Sequence, residues 1–275
     1  MSMKVSFDVV LESGNDDVDM DDALQTLSGT SSVVCLLGEA ILTGRIVERR
    51  TRANDVRAKL KQSFRGSYGQ MFDIQIEDQT LITRLKSMGR KTFSEVMRYY
   101  ISEALYIDGG VLSEDATLVI ESMTDIESAL LDRLESPLKD MHKITTSDSY
   151  DVRLNYRLPG DPFNIITLNE NTAANIINVT ENQNEIFIDA VITRFNTMTG
   201  NGRLILRDEV ERVTKAFGFK NSLRFVTGAQ KTAISENLHT NNTRREDDRV
   251  YMTLKVVTLT NNSGAVLKYL IKEVV

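Results

Sequence analysis

Few residues in this chain could do chemistry. There are two histidines, His142 and His239, and one cysteine, Cys35, in 275 residues. His142 follows a helical stretch, and His239 lies in the polar segment LHTNNTRREDD. Neither stands at metal-ligand spacing from another His or Cys, so no zinc site is expected. The acidic run DVDMDD puts Asp17, Asp19 and Asp21 at positions one, three and five of a calcium loop. Position six is then Asp22, where the sharp turn requires glycine, and position twelve is Ser28, where calcium requires a bidentate carboxylate. These acids read instead as the N-terminal face of a helix, where carboxylates meet the positive end of the dipole. No P-loop, G-x-G-x-x-G or G-x-S-x-G motif occurs. Carboxylates far apart in sequence could still converge, so a carboxylate-based metal-dependent enzyme stays open as a second alternative. No cofactor and no small-molecule substrate is indicated, and the balance favours a non-catalytic protein.

Cations supply the other candidates. GRIVERRTR carries Arg45, Arg49, Arg50 and Arg52 against Glu48, and Arg65 sits at the tip of FRGSYG. HTNNTRREDDR adds Arg244, Arg245 and Arg249. These eight arginines are the expected partner or anion contacts. The basic ribbon VRAKLKQS is read differently. Val56, Ala58 and Leu60 alternate with Arg57, Lys59 and Lys61, while in MFDIQIE Phe72, Ile74 and Ile76 alternate with Asp73, Gln75 and Glu77. Both are half-buried strands, and the glycines between them predict an antiparallel hairpin. The expected register sets Lys61 opposite Asp73, Lys59 opposite Gln75 and Arg57 opposite Glu77, so the two stripes neutralise each other in part.

The elements that must position these residues follow from periodicity. MKVSFDVVLE alternates as a strand over 4–12, and further strands are expected at 45–50 and 56–77. Helices are expected at 19–28, stopped by Gly29, then at 79–88, 93–107 and 114–143. Thr92 and Glu95 have capping-box spacing, and Ser136-Pro137 allows a restart with proline in a first turn. SSVVCLLGEAILTG reads as a second short helix closed by Gly44, with a buried strand as the alternative. After the polar ITTSDSYDVRLNYRLPGDP, strands are expected in EIFIDAVITRFN, GRLILRD, SLRFVTG, RVYMTLKVVTLT and AVLKYLIKEVV, with a helix in AQKTAISENLH. The fold class is therefore α+β. An N-terminal domain of strands and amphipathic helices spans 1–150, and a β-rich domain with the element order of an OB-like barrel spans 160–275.

Composition bounds the rest. Hydrophobic residues are 41% and charged residues 26%, the balance of a globular chain. Residues 1–150 carry 17 Lys and Arg against 25 Asp and Glu, and 151–275 carry 16 against 14. Neither half has the basic excess of a dedicated duplex-DNA binder. No apolar run approaches the ~18 residues of a membrane span, no secretory signal is visible, and one cysteine cannot form an internal disulfide. A cytoplasmic location is expected.

The stretches SFDVVLE, LSG, LTGRI, GSYGQMFDIQI and AVITRFNTMTGNGRLIL together resemble uncharacterised prokaryotic proteins of defence or mobile-element neighbourhoods. The resemblance implies an antiviral setting and carries no site residues. The expected function is a non-catalytic interaction or scaffold protein that docks a protein partner or self-associates. The alternative is nucleic-acid binding through the β-rich domain with the Arg45–Arg52 segment assisting.

Overall fold

The computed structural model describes residues 2–46, 56–64, 68–157, 162–209 and 213–275, the side chains of 62–64 and 162 excepted. The chain is mixed α+β and divides into two units. The first comprises 1–105 and 109–176, the second 106–108 and 177–275. The first unit thus runs past the expected boundary at 150–160. The polar, proline-bearing stretch expected as a linker, 144–162, supplies one strand of the first unit's sheet (Val152–Arg157) and the first residue of another, so its backbone hydrogen bonds belong there.

In the first unit, β1 (Met3–Leu11) leads to α1 (Met20–Thr43), then β2 (Val56–Phe64) and β3 (Tyr68–Ile76). The helices α2 (Gln79–Met88), α3 (Arg90–Ala104), α4 (Glu114–Ser122), α5 (Glu127–Met141) and α6 (Lys143–Asp148) follow. The unit ends with β4 (Val152–Arg157), β5 (Pro162–Leu168) and α7 (Glu170–Ala174). The strands form one antiparallel sheet in the order β2-β3-β1-β4-β5. Alternation along β1 sends Val5, Phe7, Val9 and Leu11 into the core. There Phe7 stacks on Phe72 with centroids 5.5 Å apart and meets the edge of Tyr156 at 5.2 Å, a geometry the ring quadrupoles favour.

Helix α1 replaces the two short helices expected. Every residue from Val33 to Leu42 is buried, Glu39 among them, so this part shows no amphipathic period. It meets the length and hydropathy of a membrane span, but 72% of its most apolar window is buried, as in a core helix. Gly29 does not stop it. A Cβ there would lie 2.4 Å from the Met141 amide nitrogen and 2.7 Å from the Pro137 carbonyl oxygen, so its missing side chain lets α1 cross α5 nearly backbone to backbone. The helix ends instead at Gly44, in the left-handed conformation (φ 69°).

Other local expectations shift for identifiable reasons. Helix α3 begins at Arg90, so Thr92 lies inside it, and Glu95 accepts from the backbone N–H (3.2 Å) and hydroxyl (2.5 Å) of Ser113, the cap of α4. Pro137 lies within the continuous helix α5 rather than opening a new one. Of the strand expected at 45–50, Arg45 and Ile46 are not in a strand, and 47–50 lie outside the described residues.

The β2–β3 hairpin sits two residues from the expected register. Lys59 faces Asp73 and Arg57 faces Gln75, and an irregularity between Leu60 and Gln62 absorbs one residue. Lys61 nevertheless reaches Asp73 at 3.2 Å. Asp73 is buried and also accepts from the Ser6 hydroxyl at 2.6 Å. Lysines and a bulge on an edge strand discourage pairing with another chain, and β2 is such an edge.

The second unit contains β6 (Thr180–Phe195), β7 (Gly202–Leu206), β8 (Lys215–Phe219), α8 (Gly228–Asn241), β9 (Met252–Thr260) and β10 (Val266–Val274). The strands close into a barrel, β10-β8-β7-β6-β9. All pairs are antiparallel except β8 with β10. Three strands, a helix, then two strands is the OB-like order. The strand expected in SLRFVTG is absent because Thr227 and Gln230 form a capping box that starts α8, and KAFGF supplies β8 instead. Inside lie Ala190, Ile192, Leu204, Phe217, Leu254, Val256, Tyr269 and Ile271, covered at one end by Ile234 of α8. Asn237 fixes this helix, accepting from the Ile192 amide at 2.9 Å and donating to the Val250 carbonyl at 3.0 Å.

Two stability predictions follow from this packing. Gly29→Ala lowers the unfolding midpoint by an amount equivalent to about 1–3 kcal/mol, whereas Gly228→Ala, where a Cβ meets nothing within 4 Å, leaves it within about 0.5 kcal/mol. Lys61→Ala costs at most about 1 kcal/mol, because that side chain is half exposed. Exchanging the charges, Lys61→Glu with Asp73→Lys, does not restore stability, because the buried position is built to accept hydrogen bonds. Denaturant titration of the four proteins measures both.

Candidate interaction site

Strand β1 ends at Leu11, and the loop to α1 turns at once. The Ser13 amide donates to the Leu11 carbonyl, Gly14 takes a positive φ of 63°, and the Asp16 amide donates to the Ser13 carbonyl at 3.0 Å. Asp19 then caps α1, its carboxylate accepting from the Asp22 amide at 3.0 Å. Three contacts hold the first turns in place. Lys143 pairs with Asp22 at 3.3 Å, Gln25 donates to Asp140 at 2.8 Å, and the Ile144 amide donates to the Thr26 hydroxyl at 3.1 Å. The Ser147 hydroxyl, and then Lys143, hold the Asp22 carboxyl below its ordinary range.

Between this loop, the start of α1 and Tyr68 of β3 lies a hollow of about 510 Å³. Its walls include Met20, Leu24 and Tyr68, which are 71%, 50% and 39% exposed, with Asp16 and Asp17 beside them. Isolated exposed apolar side chains are ordinary; here three converge on one concavity. The carboxylates give it a negative field. Burial first, then Asp16, Asp148 and Asp17, push the Tyr150 hydroxyl above its ordinary value.

The arginines expected as contacts are placed as follows. Arg45 is exposed just after α1, its amide held by the Thr43 hydroxyl at 3.1 Å. Arg49, Arg50, Arg52 and Arg65 lie outside the described residues. Arg244 donates to the Thr240 and Asp248 carbonyls (3.2 and 3.1 Å), and Arg249 lies 3.9 Å from Glu246, so both serve the turn after α8. Arg245 is exposed.

On the barrel, the outer face of β7 and β8 is where OB-like barrels take oligonucleotides. Here Arg203 is buried and donates to the Ile107 carbonyl, and Thr214 donates to the Asp108 carboxylate, so 106–108 lie against that face. Phe195 stacks on Phe217 at 6.0 Å and meets Phe219 at 6.3 Å. Phe217 is in the core and the other two pack against it. Phe225 is exposed, with the Arg224 guanidinium 4.7 Å from its centroid. Lys215 pairs with Glu209, Lys220 with Glu181, and Arg207 with Asp189. Lys255 and Lys272 share Glu185, whose carboxyl their hydrogen bonds pull down to about 2.

The carboxylates do not assemble a metal centre among the described residues. Asp8, buried on the sheet face, accepts from Asn155 at 2.7 Å and Arg157 at 3.0 Å. His142 is fully buried, with Nδ1 2.7 Å from the Leu138 carbonyl and Nε2 2.9 Å from the Thr172 hydroxyl. A carbonyl only accepts, so Nδ1 carries the proton. The one hydrogen of the Thr172 hydroxyl is shared between Nε2 and the Asn169 carbonyl, each 2.9 Å away, and its oxygen accepts from the Asn169 amide at 2.8 Å. Burial lowers the His142 pKa to about 4, against a smaller upward effect of the Leu138 hydrogen bond.

Comparison with protein-family models, curated proteins and solved structures finds no match for this chain.

The histidine yields a prediction. Between pH ~6.5 and ~4 the unfolded chain binds a proton at His142 that the folded chain refuses. Stability is therefore complete above about pH 6.5 and falls by up to about 3 kcal/mol as pH drops to 4. Urea unfolding across this range shows that loss, and His142→Gln removes this increment from the profile.

Proposed function

We propose that this chain is a non-catalytic interaction protein that docks a protein partner through the hollow at the start of α1. The observation that carries the reading is the convergence of Met20, Leu24 and Tyr68, all exposed, on one concavity with an acidic wall. Their burial on docking supplies the driving force, at about 25 cal/mol per Å² of apolar surface removed from water. The polar groups that might suggest chemistry are tied to structural partners instead, namely His142 to Thr172 and Asp8 to Asn155 and Arg157. A cytoplasmic setting fits a chain whose one cysteine, Cys35, is a buried thiol, since reducing compartments keep thiols reduced. The resemblance to prokaryotic defence-neighbourhood proteins is what supports a defence setting for the proposed partner. The terminal hairpin, β9 and β10, is not the docking edge, because both strands are paired on both sides within the barrel.

A photo-crosslinking residue at Met20, in cells of the source organism, tests the proposal. An adduct with one identifiable protein is expected, and it disappears when Leu24→Asp is added. That substitution is expected to shift stability by no more than about 0.5 kcal/mol, as for other surface changes. Absence of an adduct, or an adduct indifferent to Leu24→Asp, contradicts the proposal. An adduct between two copies of the chain would make self-association the function.

A further inference from the structure

We infer that the occupant of the α1 hollow is a short segment of a partner protein that presents a lysine or arginine next to an aliphatic or aromatic side chain. This rests on the docking reading above and adds the chemistry of the partner. Two features of the wall define it together. Met20, Leu24 and Tyr68 ask for apolar surface. Asp16 and Asp17 line the same space, and no ion pair engages either of them among the described residues. The nearby cations are committed elsewhere, Lys143 to Asp22 and Arg153 to Glu12.

Other classes of ligand fit less well. An anion would meet two carboxylates, and the positive end of α1 offers it little, because Asp19 already caps the helix and Asp21 and Asp22 lie in its first turn. A purely apolar ligand would take Asp16 and Asp17 out of water with no compensation, which is unfavourable for an ionised group. A calcium ion lacks a ligand set: the loop spacing fails at Asp22 and Ser28, and no group of three metal-ligating side chains converges among the described residues. A basic-apolar segment answers both features. Its stem covers Leu24 and Met20 while its charged head meets the carboxylates, the way long cationic side chains divide between apolar and polar surroundings. The volume suits such a segment, since sites for small ligands typically enclose ~300–1,000 Å³.

The test uses the full chain and three short fluorescein-labelled peptides of equal length, built from Lys and Leu, from Glu and Leu, and from Lys and Ser. In anisotropy titrations the Lys/Leu peptide is expected to bind at least about tenfold more tightly than either of the others, and to weaken as salt is raised from about 50 to about 300 mM. Asp16→Asn with Asp17→Asn is expected to lower its affinity at least about tenfold. Glu114→Gln with Asp115→Asn removes equal charge from residues that do not line the hollow and is expected to leave affinity unchanged. Equal binding of the Glu/Leu peptide, or equal loss in the two variants, overturns the inference. So does absence of peptide binding while the Met20 crosslink still captures a partner, which would leave the docking reading standing. Loss of both signals removes the two together.

Discussion

The close crossing of α1 over α5 at Gly29 is the constraint on which the first unit depends. From Val33 to Leu42 every position of the helix is buried, so burial alone does not fix its rotation or its axial position. The crossing does, because it brings α1 against the backbone of Pro137, Asp140 and Met141. The Gln25–Asp140 and Thr26–Ile144 hydrogen bonds and the Lys143–Asp22 pair lie within about two turns of that point and lock the same arrangement. Once α1 is held there, its first two turns bury Ala23 and Thr26 on one side and leave Met20 and Leu24 exposed on the other. Met20 and Leu24 are left facing the β1–α1 loop and Tyr68. The hollow is thus a consequence of how the core packs.

Polar groups in the interior are arranged in the same economical way. Asp8 and Asp73 are buried on the sheet face away from the Phe7 core, and each has a neutral donor and a half-exposed cation. Each carboxylate keeps its neutral donor when the half-exposed cation is removed, so loss of the cation costs no more than loss of a partly solvated pair. His142 follows the same rule in neutral form. In the barrel, Asn237 satisfies a strand amide and a loop carbonyl that α8 would otherwise cover without partners. These networks explain why the titratable residues of this chain are conspicuous in sequence yet structural in place.

Much of the architecture was legible because periodicity survives wherever an element has one wet face. β1, β3, β6 and β9 alternate visibly, and the caps at Ser113 and the turn before β10 carry their own chemistry. The legibility failed where that asymmetry is lost. α1 is buried all round, so Gly29 reads as a stop when it is a contact, and the same break hides the register of the first turns. The stripe Ala23, Thr26, Thr30, Val33 and Leu37 is buried. Measured against it, Met20 and Leu24 fall one position off, the signal that could have marked them as surface residues. β4 reads as a linker because its less buried residues, Arg153, Asn155 and Arg157, are polar and the sequence Leu158-Pro159-Gly160 follows at once. SLRFVTG alternates as a strand would, but Thr227 and Gln230 commit its end to a helix. The arginine cluster drew attention by charge alone, whereas Arg244 and Arg249 answer carbonyls and Glu246.

The central claim is that one concavity at the start of α1 carries the protein's function. Hydrogen exchange of the full chain, with and without the partner captured at Met20, tests it most directly. The account predicts that added protection concentrates in residues 12–27 and at the start of β3, with the barrel loops 196–201 and 220–227 unchanged. Protection in those barrel loops, with none at the start of α1, would contradict it.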